Sequence, residues 1–217
     1  MIVDLNLQGK QVIVIGGGNE ALKRINSLLR QKCSILVISN KTNAQISKLA
    51  KSKKIKLKKQ DVSNTSFLSK YKPHMVICTT DDRKLNQKII RNAKQRRIIA
   101  YSSDNPEDSD FANPAIINFQ NIVQIAIFTG GRSPIISKRL KTDAEKIFKE
   151  IITKKDIDQI KIQKIARELA KEKIPTQTER KEYLRRIMMD DQIDQLIKDG
   201  QLKKAENRAT AILRDWR

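Results

Sequence analysis

Aromatic residues are scarce in this 217-residue chain: five Phe, three Tyr and one Trp make up 4% of it. Its core is therefore mostly aliphatic, and few rings are left to stack the bases of a nucleic acid. Cysteine is rarer still. Cys33 and Cys78 each lie in or beside an apolar, strand-like segment, and two cysteines so spaced make neither a disulfide framework nor a zinc site. They read as two buried thiols in a reducing cytoplasm. With His74 the only histidine, no His or Cys cluster is available for a standing metal site. No apolar run approaches the ~20 residues of a membrane span. The N-terminus, MIVDLNLQGK, lacks the basic and long apolar regions of a signal peptide and reads as part of the fold. These absences set aside membrane proteins and secreted disulfide scaffolds, and they favour a cytoplasmic location.

Acidic residues are in deficit too, 24 Asp and Glu against 45 Lys and Arg, for a formal net charge of +21. Such an excess favours acidic partners: nucleic acid, an anionic membrane surface, or a polyanionic small molecule. The basic residues are spread along the chain, which argues against nucleic acid. The densest group, KSKKIKLKK over residues 51–59, alternates Lys with Ile55 and Leu57. That pattern is a strand with one wet face, or the loop leading into it, and a solvated basic face is the preferred reading.

What is present is a fingerprint. The stretch QVIVIGGGNEA, residues 11–21, runs from a short apolar strand straight into Gly16-Gly17-Gly18 and on into a helical pattern. Read as G-x-G-x-x-A, it contains Gly16, Gly18 and Ala21. The first glycine turns the chain sharply, the second lets backbone N–H groups approach a pyrophosphate, and the small third residue packs the helix on the strand. The helix N-terminus beyond adds partial positive charge where phosphates would sit.

Around this stretch the chain alternates strand and helix. Strands are expected at residues 5–15, with a Gln8-Gly9-Lys10 turn, and at 34–38, 55–57, 74–78 and 97–100. Helices are expected at 19–31, at 42–51 with Thr42 as N-cap, and at 83–95. This alternation predicts an α/β fold, a Rossmann-type parallel sheet with helices on both faces. Two further strands, 115–119 and 122–128, follow as an antiparallel pair. Residues from 135 to 217 read as helices broken near Lys173-Ile174-Pro175 and at Asp199-Gly200. The domains expected are 1–113, a dinucleotide-binding domain; 114–148, a β-hairpin and helix; and 149–217, a helical C-terminal region.

Several residues at the carboxyl edge of this sheet are candidates for chemistry. An NAD-binding unit ordinarily carries Asp or Glu at the end of the second strand to hold the ribose hydroxyls. Here Ser39-Asn40-Lys41 stands instead. Ser39 and Asn40 can bond a ribose, Lys41 can meet a 2′-phosphate, and all three can equally form an ordinary turn; NAD and NADP both stay open. Asp81 and Asp82 follow the fourth strand and read first as helix caps. His74 enters that strand from the opposite edge, away from any ligand. Asp104, in Ser102-Ser103-Asp104-Asn105-Pro106, follows the fifth strand. A carboxylate beside a polyanionic substrate tends toward a raised pKa and can act as general base; the alternative is an Asx-turn before Pro106. Gly130-Gly131-Arg132-Ser133 is either the start of a helix, with Ser133 as N-cap and Pro134 at the first position, or an anion-binding nest beside an arginine.

Four blocks, GGGNEALKR, CTTDD, YSSDNPEDSDFANPAII and IAIFTGGRSPIISKRL, fall in order between Gly16 and Leu140. Together they resemble the precorrin-2 dehydrogenases, which form the N-terminal module of siroheme synthases and also occur alone, some doubling as sirohydrochlorin ferrochelatases. The resemblance implies NAD-dependent oxidation of precorrin-2 to sirohydrochlorin, with Asp104 at the position implicated in catalysis and, where it occurs, in metal insertion. It implies that the glycine loop (Gly16, Gly17, Gly18), Asn19, Glu20, Ser39, Asn40 and Lys41 meet the dinucleotide. Thr80 and Asp81 fall near its nicotinamide half, and Thr129, Gly130, Arg132 and Ser133 on the tetrapyrrole side. It also implies a homodimer whose C-terminal helical regions exchange contacts, and it gives the basic excess a partner in a substrate with eight carboxylates. No resident metal is implied. After Lys173 no block matches, and no methyltransferase module follows, so the chain is expected not to make its own precorrin-2. Two other functions compete. One is a non-catalytic dinucleotide-sensing regulator with a basic, nucleic-acid-binding helical tail, whose binding would weaken steeply with salt. The other is an NADP-dependent reductase of another acidic substrate, selected through Lys41.

Overall fold

The computed structural model describes residues 2–216; Met1 of the expected first domain and Arg217 of the expected helical region lie outside the described residues. The chain divides into two compact units, residues 1–113 and 114–217.

The first unit carries β1 (Gln11–Ile15), α1 (Asn19–Leu28), β2 (Ser34–Ile38), α2 (Ala44–Lys51), β3 (Lys56–Lys58), α3 (Ser66–Tyr71), β4 (Met75–Cys78), α4 (Arg83–Gln95) and β5 (Ile99–Ser102). The strands form one sheet in the order β3-β2-β1-β4-β5, and all four pairings are parallel. Continuous apolar runs suit a sheet covered on both faces, and alternation divides each run between two cores. Val12, Val14, Ile35, Val37 and Ile77 join Ala21, Ile25 and Ile46 of α1 and α2 in one. Ile13, Ile15, Leu36, Ile38, Val76 and Cys78 join Leu68, Ile89 and Ala93 of α3 and α4 in the other. The edges are protected. β3 is a short Lys-Leu-Lys strand with Lys56 exposed, and lysine on an edge strand discourages further pairing. Along β5 the chain folds back, so that Asp110 N–H donates to Ala100 O (2.8 Å) and Ala100 N–H to the Asp110 carboxylate (2.8 Å).

Several boundaries differ from the sequence reading. β1 begins at Gln11, because the Gln8-Gly9 turn, with Gly9 at φ +72°, separates it from irregular residues ahead. The N-cap of α2 is Asn43, whose side chain accepts from Ile46 N–H (2.9 Å); Thr42 bonds Ser47 instead (3.0 Å). β5 starts two residues late, since Arg97 takes a left-handed φ of +57° and Ile98 N–H still bonds Ala93 O at the end of α4. The short α3 is an addition. Cys78 is buried as expected, but Cys33 is only partly so, its thiol donating to Leu28 O.

The second unit opens with an antiparallel hairpin, β6 (Ala115–Phe119) and β7 (Val123–Ile127). Gln120 and Asn121 turn it with φ of +52° and +58°, the left-handed pair that matches strand twist. Helix α5 (Pro134–Ile151) packs on this hairpin, capped by Ser133 with Pro134 in its first turn. The division expected at 148/149 falls inside α5; the helix ends where Thr153 and Asp156 form a capping box and start α6 (Lys154–Lys173). Then come α7 (Gln177–Met188), α8 (Asp191–Lys198) and α9 (Leu202–Arg214). These four helices share a core of Ile162, Ala166, Ile187, Ile193, Ala205 and Ile212 around Tyr183. Burial would leave the Tyr183 hydroxyl unpaired, but it donates to Ala209 O at 2.9 Å.

Candidate functional site

In the order β3-β2-β1-β4-β5 all strands run parallel, but the order in which the chain adds them reverses between β1 and β4. Open α/β sheets bind ligands outside the carboxyl ends of strands at such a switch point. The glycine loop leaves β1 there. Gly16 has φ +109°, and a Cβ on it would lie 2.6 Å from Thr79 Oγ1 and 3.0 Å from Thr79 O. A Cβ on Gly17 would lie 2.1 Å from Lys41 O. These two glycines are therefore demanded by the protein's own packing. Gly18 is different: a Cβ there would meet no protein atom within 4 Å. Its openness coincides with the start of α1, where Gly18 is the N-cap and no side chain caps the first-turn N–H groups. Helix starts α2, α4 and α5 all have such a cap. Uncapped N–H groups over an unobstructed glycine fit a bound pyrophosphate. Ala21 is fully buried against the strands, as the fingerprint requires.

Around this loop Asn43, unnoticed in the sequence, ties α2 to α1: its N–H bonds Gly17 O (2.9 Å), and its side-chain amide reaches Asn19 Oδ1 (3.3 Å). The Glu20 carboxylate is held by Arg24 and by Lys23 (3.2 Å) on its own helix. Its burial alone would raise the pKa, but these cations outweigh burial and keep it below the usual carboxylate value. Ser39 donates to Lys41 O (2.7 Å), which makes Ser39-Asn40-Lys41 an ordered turn against Gly17. Asn40 is exposed and donates to the Asp61 carboxylate at 3.0 Å.

After β4 and β5 the chain builds a polar cluster over a buried floor. Asn86 of α4 is 0% exposed and Ser102 1%. The Asn86 amide donates to both Thr80 O (2.8 Å) and Asp104 Oδ1 (2.9 Å), while Thr80 Oγ–H donates to Asn86 Oδ1 (2.7 Å). Ser102 Oγ–H donates to the same Asp104 oxygen at 2.5 Å. Asp104 itself is exposed, so one oxygen is fixed while the carboxylate faces outward. An Asx-turn before Pro106 does not form: proline has no N–H to donate, and the carboxylate turns to Ser102 and Asn86 instead. Burial, and next to it the charge of Asp104, push the Cys78 thiol far upward, so it stays protonated and inert. Asp82 caps α4 through Leu85 N–H (3.0 Å), leaving Asp81 exposed beside Thr80. His74 lies at the other edge, where its Nδ1 accepts from Gln11 N–H (3.3 Å). Among the described residues no cluster of three His, Cys, Asp or Glu side chains has the arrangement of a metal site.

In the second unit, Gly130 and Gly131 take φ of +65° and +74°, and the Arg132 guanidinium folds back over Gly130. Thr129 pairs with Ser137 (2.8 Å), and Ser133 caps α5 through Ile136 N–H (3.3 Å). The stretch is thus the start of a helix, entered through two consecutive left-handed glycines, with Arg132 N–H donating to Thr129 O at 3.2 Å.

A family model for NAD(P)-binding proteins matches residues 3–115. The chain belongs to this family. Its curated relatives include the siroheme synthase of Nitrosococcus oceani, 30% identical over 141 residues that cover 65% of this chain and 29% of the relative. That of Psychrobacter arcticus is 29% identical over 95% of this chain and 35% of the relative. That of Actinobacillus pleuropneumoniae is 26% identical over 96% of this chain and 41% of the relative. The matches thus span only 29–41% of the length of these proteins. Among solved structures, SirC, a precorrin-2 dehydrogenase, superposes with a TM-score of 0.70 at 22% identity, covering 96% of this chain and 99% of that one. The NAD(P)-binding unit and the hairpin-plus-helical unit therefore follow a known fold along nearly their whole length.

Proposed function

We propose that this chain is a dehydrogenase that oxidises precorrin-2 to sirohydrochlorin with NAD, working in the cytoplasm in the formation of siroheme. The observation that carries the reading is Asp104: an outward-facing carboxylate braced by two hydrogen bonds, at the same sheet edge as an uncapped glycine loop. NAD, when bound, supplies the hydride acceptor. Gly18 and the first turn of α1 hold the pyrophosphate, and Thr80 and Asp81 flank the nicotinamide half. Removing two hydrogens from the macrocycle means one hydride and one proton leave, and Asp104 accepts the proton. Thr129, Gly130, Arg132 and Ser133 receive substrate carboxylates, with the excess of basic residues drawing in a polyanion. The test is anaerobic mixing of precorrin-2, NAD and the chain while NADH absorbance is followed. Stoichiometric NADH with the sirohydrochlorin spectrum supports the reading; no turnover by folded, NAD-binding protein removes it.

The functional unit in this reading is a homodimer. No residue of α5 is buried, although Ile136, Leu140, Ile147 and Ile151 form an apolar stripe along it and Phe128 stands exposed just ahead. Ile147 and Ile151 are 58% and 60% exposed, and contiguous exposed apolar surface of this kind marks an interaction site. A second copy of the chain covers this stripe. Light scattering after size exclusion is expected to give twice the chain mass for the parent, and the single-chain mass for Leu140→Glu combined with Ile147→Glu. A parent that runs as a monomer at micromolar concentration would refute the dimer.

A further inference from the structure

The acid missing from the end of β2 has a replacement in space. We infer that Asp61, which follows β3, supplies the carboxylate that faces the adenosine ribose and makes the site select NAD over NADP. The inference rests on the dinucleotide reading above and adds to it the residue that chooses between the two cofactors.

The geometry runs outward from the glycine loop. Gly17 lies against the turn at Ser39-Asn40-Lys41, close enough that a Cβ would strike Lys41 O. That turn hangs from the end of β2, and it is tied to β3 by Ser39 N–H donating to Lys58 O at 3.1 Å. β2 and β3 are parallel neighbours with Ile38 opposite Lys58, so the residues that follow each strand emerge side by side at the same edge. Asp61 is three residues past β3, and its Oδ2 accepts from Asn40 Nδ2 at 3.0 Å. Its position beside the end of β2 is where the ribose acid of a dinucleotide site ordinarily stands. The bond to Asn40 uses one oxygen. Both residues are exposed, so the remaining oxygen is open to ribose hydroxyls.

Charge decides the selectivity. A carboxylate accepts hydrogen bonds from a 2′-hydroxyl and repels a 2′-phosphate. Lys41 pulls the other way, but the hydrogen bonds of that turn use its backbone carbonyl and not its ammonium. Asp61 is held by Asn40, whereas the Lys41 ammonium has no hydrogen-bond partner among the described residues, and the held charge prevails.

The test is binding, without tetrapyrrole present. NADH and NADPH are titrated by nicotinamide fluorescence into the parent, Asp61→Asn, Asp61→Arg and Asp61→Glu. The parent is expected to favour NADH by at least about tenfold. Asp61→Asn should lose most of that preference, Asp61→Arg should reverse it, and Asp61→Glu should keep it. Because Asp61 is exposed and its side chain bonds only Asn40 among the described residues, all three variants should fold like the parent. A merely structural role would weaken both dinucleotides together, so the NADH to NADPH ratio is the deciding quantity. An unchanged ratio in Asp61→Asn and Asp61→Arg, or a parent that prefers NADPH, overturns the inference while leaving the dinucleotide site intact. A folded parent that binds neither overturns the site itself and this inference with it.

Discussion

Replacing Asp104 by Asn is expected to lower the turnover of precorrin-2 by about 10²- to 10⁴-fold, the ordinary worth of a positioned general base. Affinity for NADH and thermal stability should be nearly unchanged. The substitution is isosteric and keeps Oδ1 as an acceptor for Ser102 and Asn86, so the hydrogen-bonded floor survives. What it removes is the ability to take a proton. Asp104→Ala makes a harsher variant, since Asn86 is fully buried and would lose one of its acceptors; an unmet buried donor costs about 1–3 kcal/mol. Comparing the two separates chemistry from packing. NADH absorbance under saturating NAD is the measurement, with melting temperature alongside. Full activity in Asp104→Asn would leave Asp104 a structural acceptor, and the proton would have to leave by another route.

How much of this was legible beforehand depended on whether a residue's role was local. Helix α4 was read at its bounds because Asp82 caps it and its apolar residues recur at helical spacing. The glycine loop was readable because strand, turn and helix follow one another along the chain. Asn86 was not, since an asparagine in a polar helix signals nothing until β5 brings Ser102 and Asp104 beside it. Asn43 and Asp61 escaped for the same reason: each acts on a segment 20 or more residues away that only the parallel sheet makes a neighbour. The end of β5 was misjudged because Tyr101 and Ser102 break the apolar run, yet both are buried, the serine by its bonds to Ser109 and Asp104. The six-residue α3 offers too few turns for a periodicity to emerge.

The glycine loop gives the sharpest contrast between fold and ligand. Gly17→Ala is expected to destabilise the first unit by about 3 kcal/mol, as overpacking against an atom that cannot retreat. Its Cβ would stand 2.1 Å from Lys41 O, a backbone atom in a turn held by Ser39 and by the edge of β3. For a unit of this size the melting temperature should fall by roughly 10 °C or more. Gly18→Ala should behave in the opposite way. Its φ of −81° suits alanine, and the new methyl meets no protein atom; exchanging glycine for alanine at an N-cap costs under about 1 kcal/mol. If the space above Gly18 belongs to a pyrophosphate, the methyl occupies it, and NADH affinity should drop by at least about tenfold with the fold intact. Calorimetry and NADH titration on the two variants therefore yield a crossed result, one losing stability and the other losing binding. A Gly18→Ala protein that binds NADH as tightly as the parent would mean the dinucleotide does not pass over this glycine.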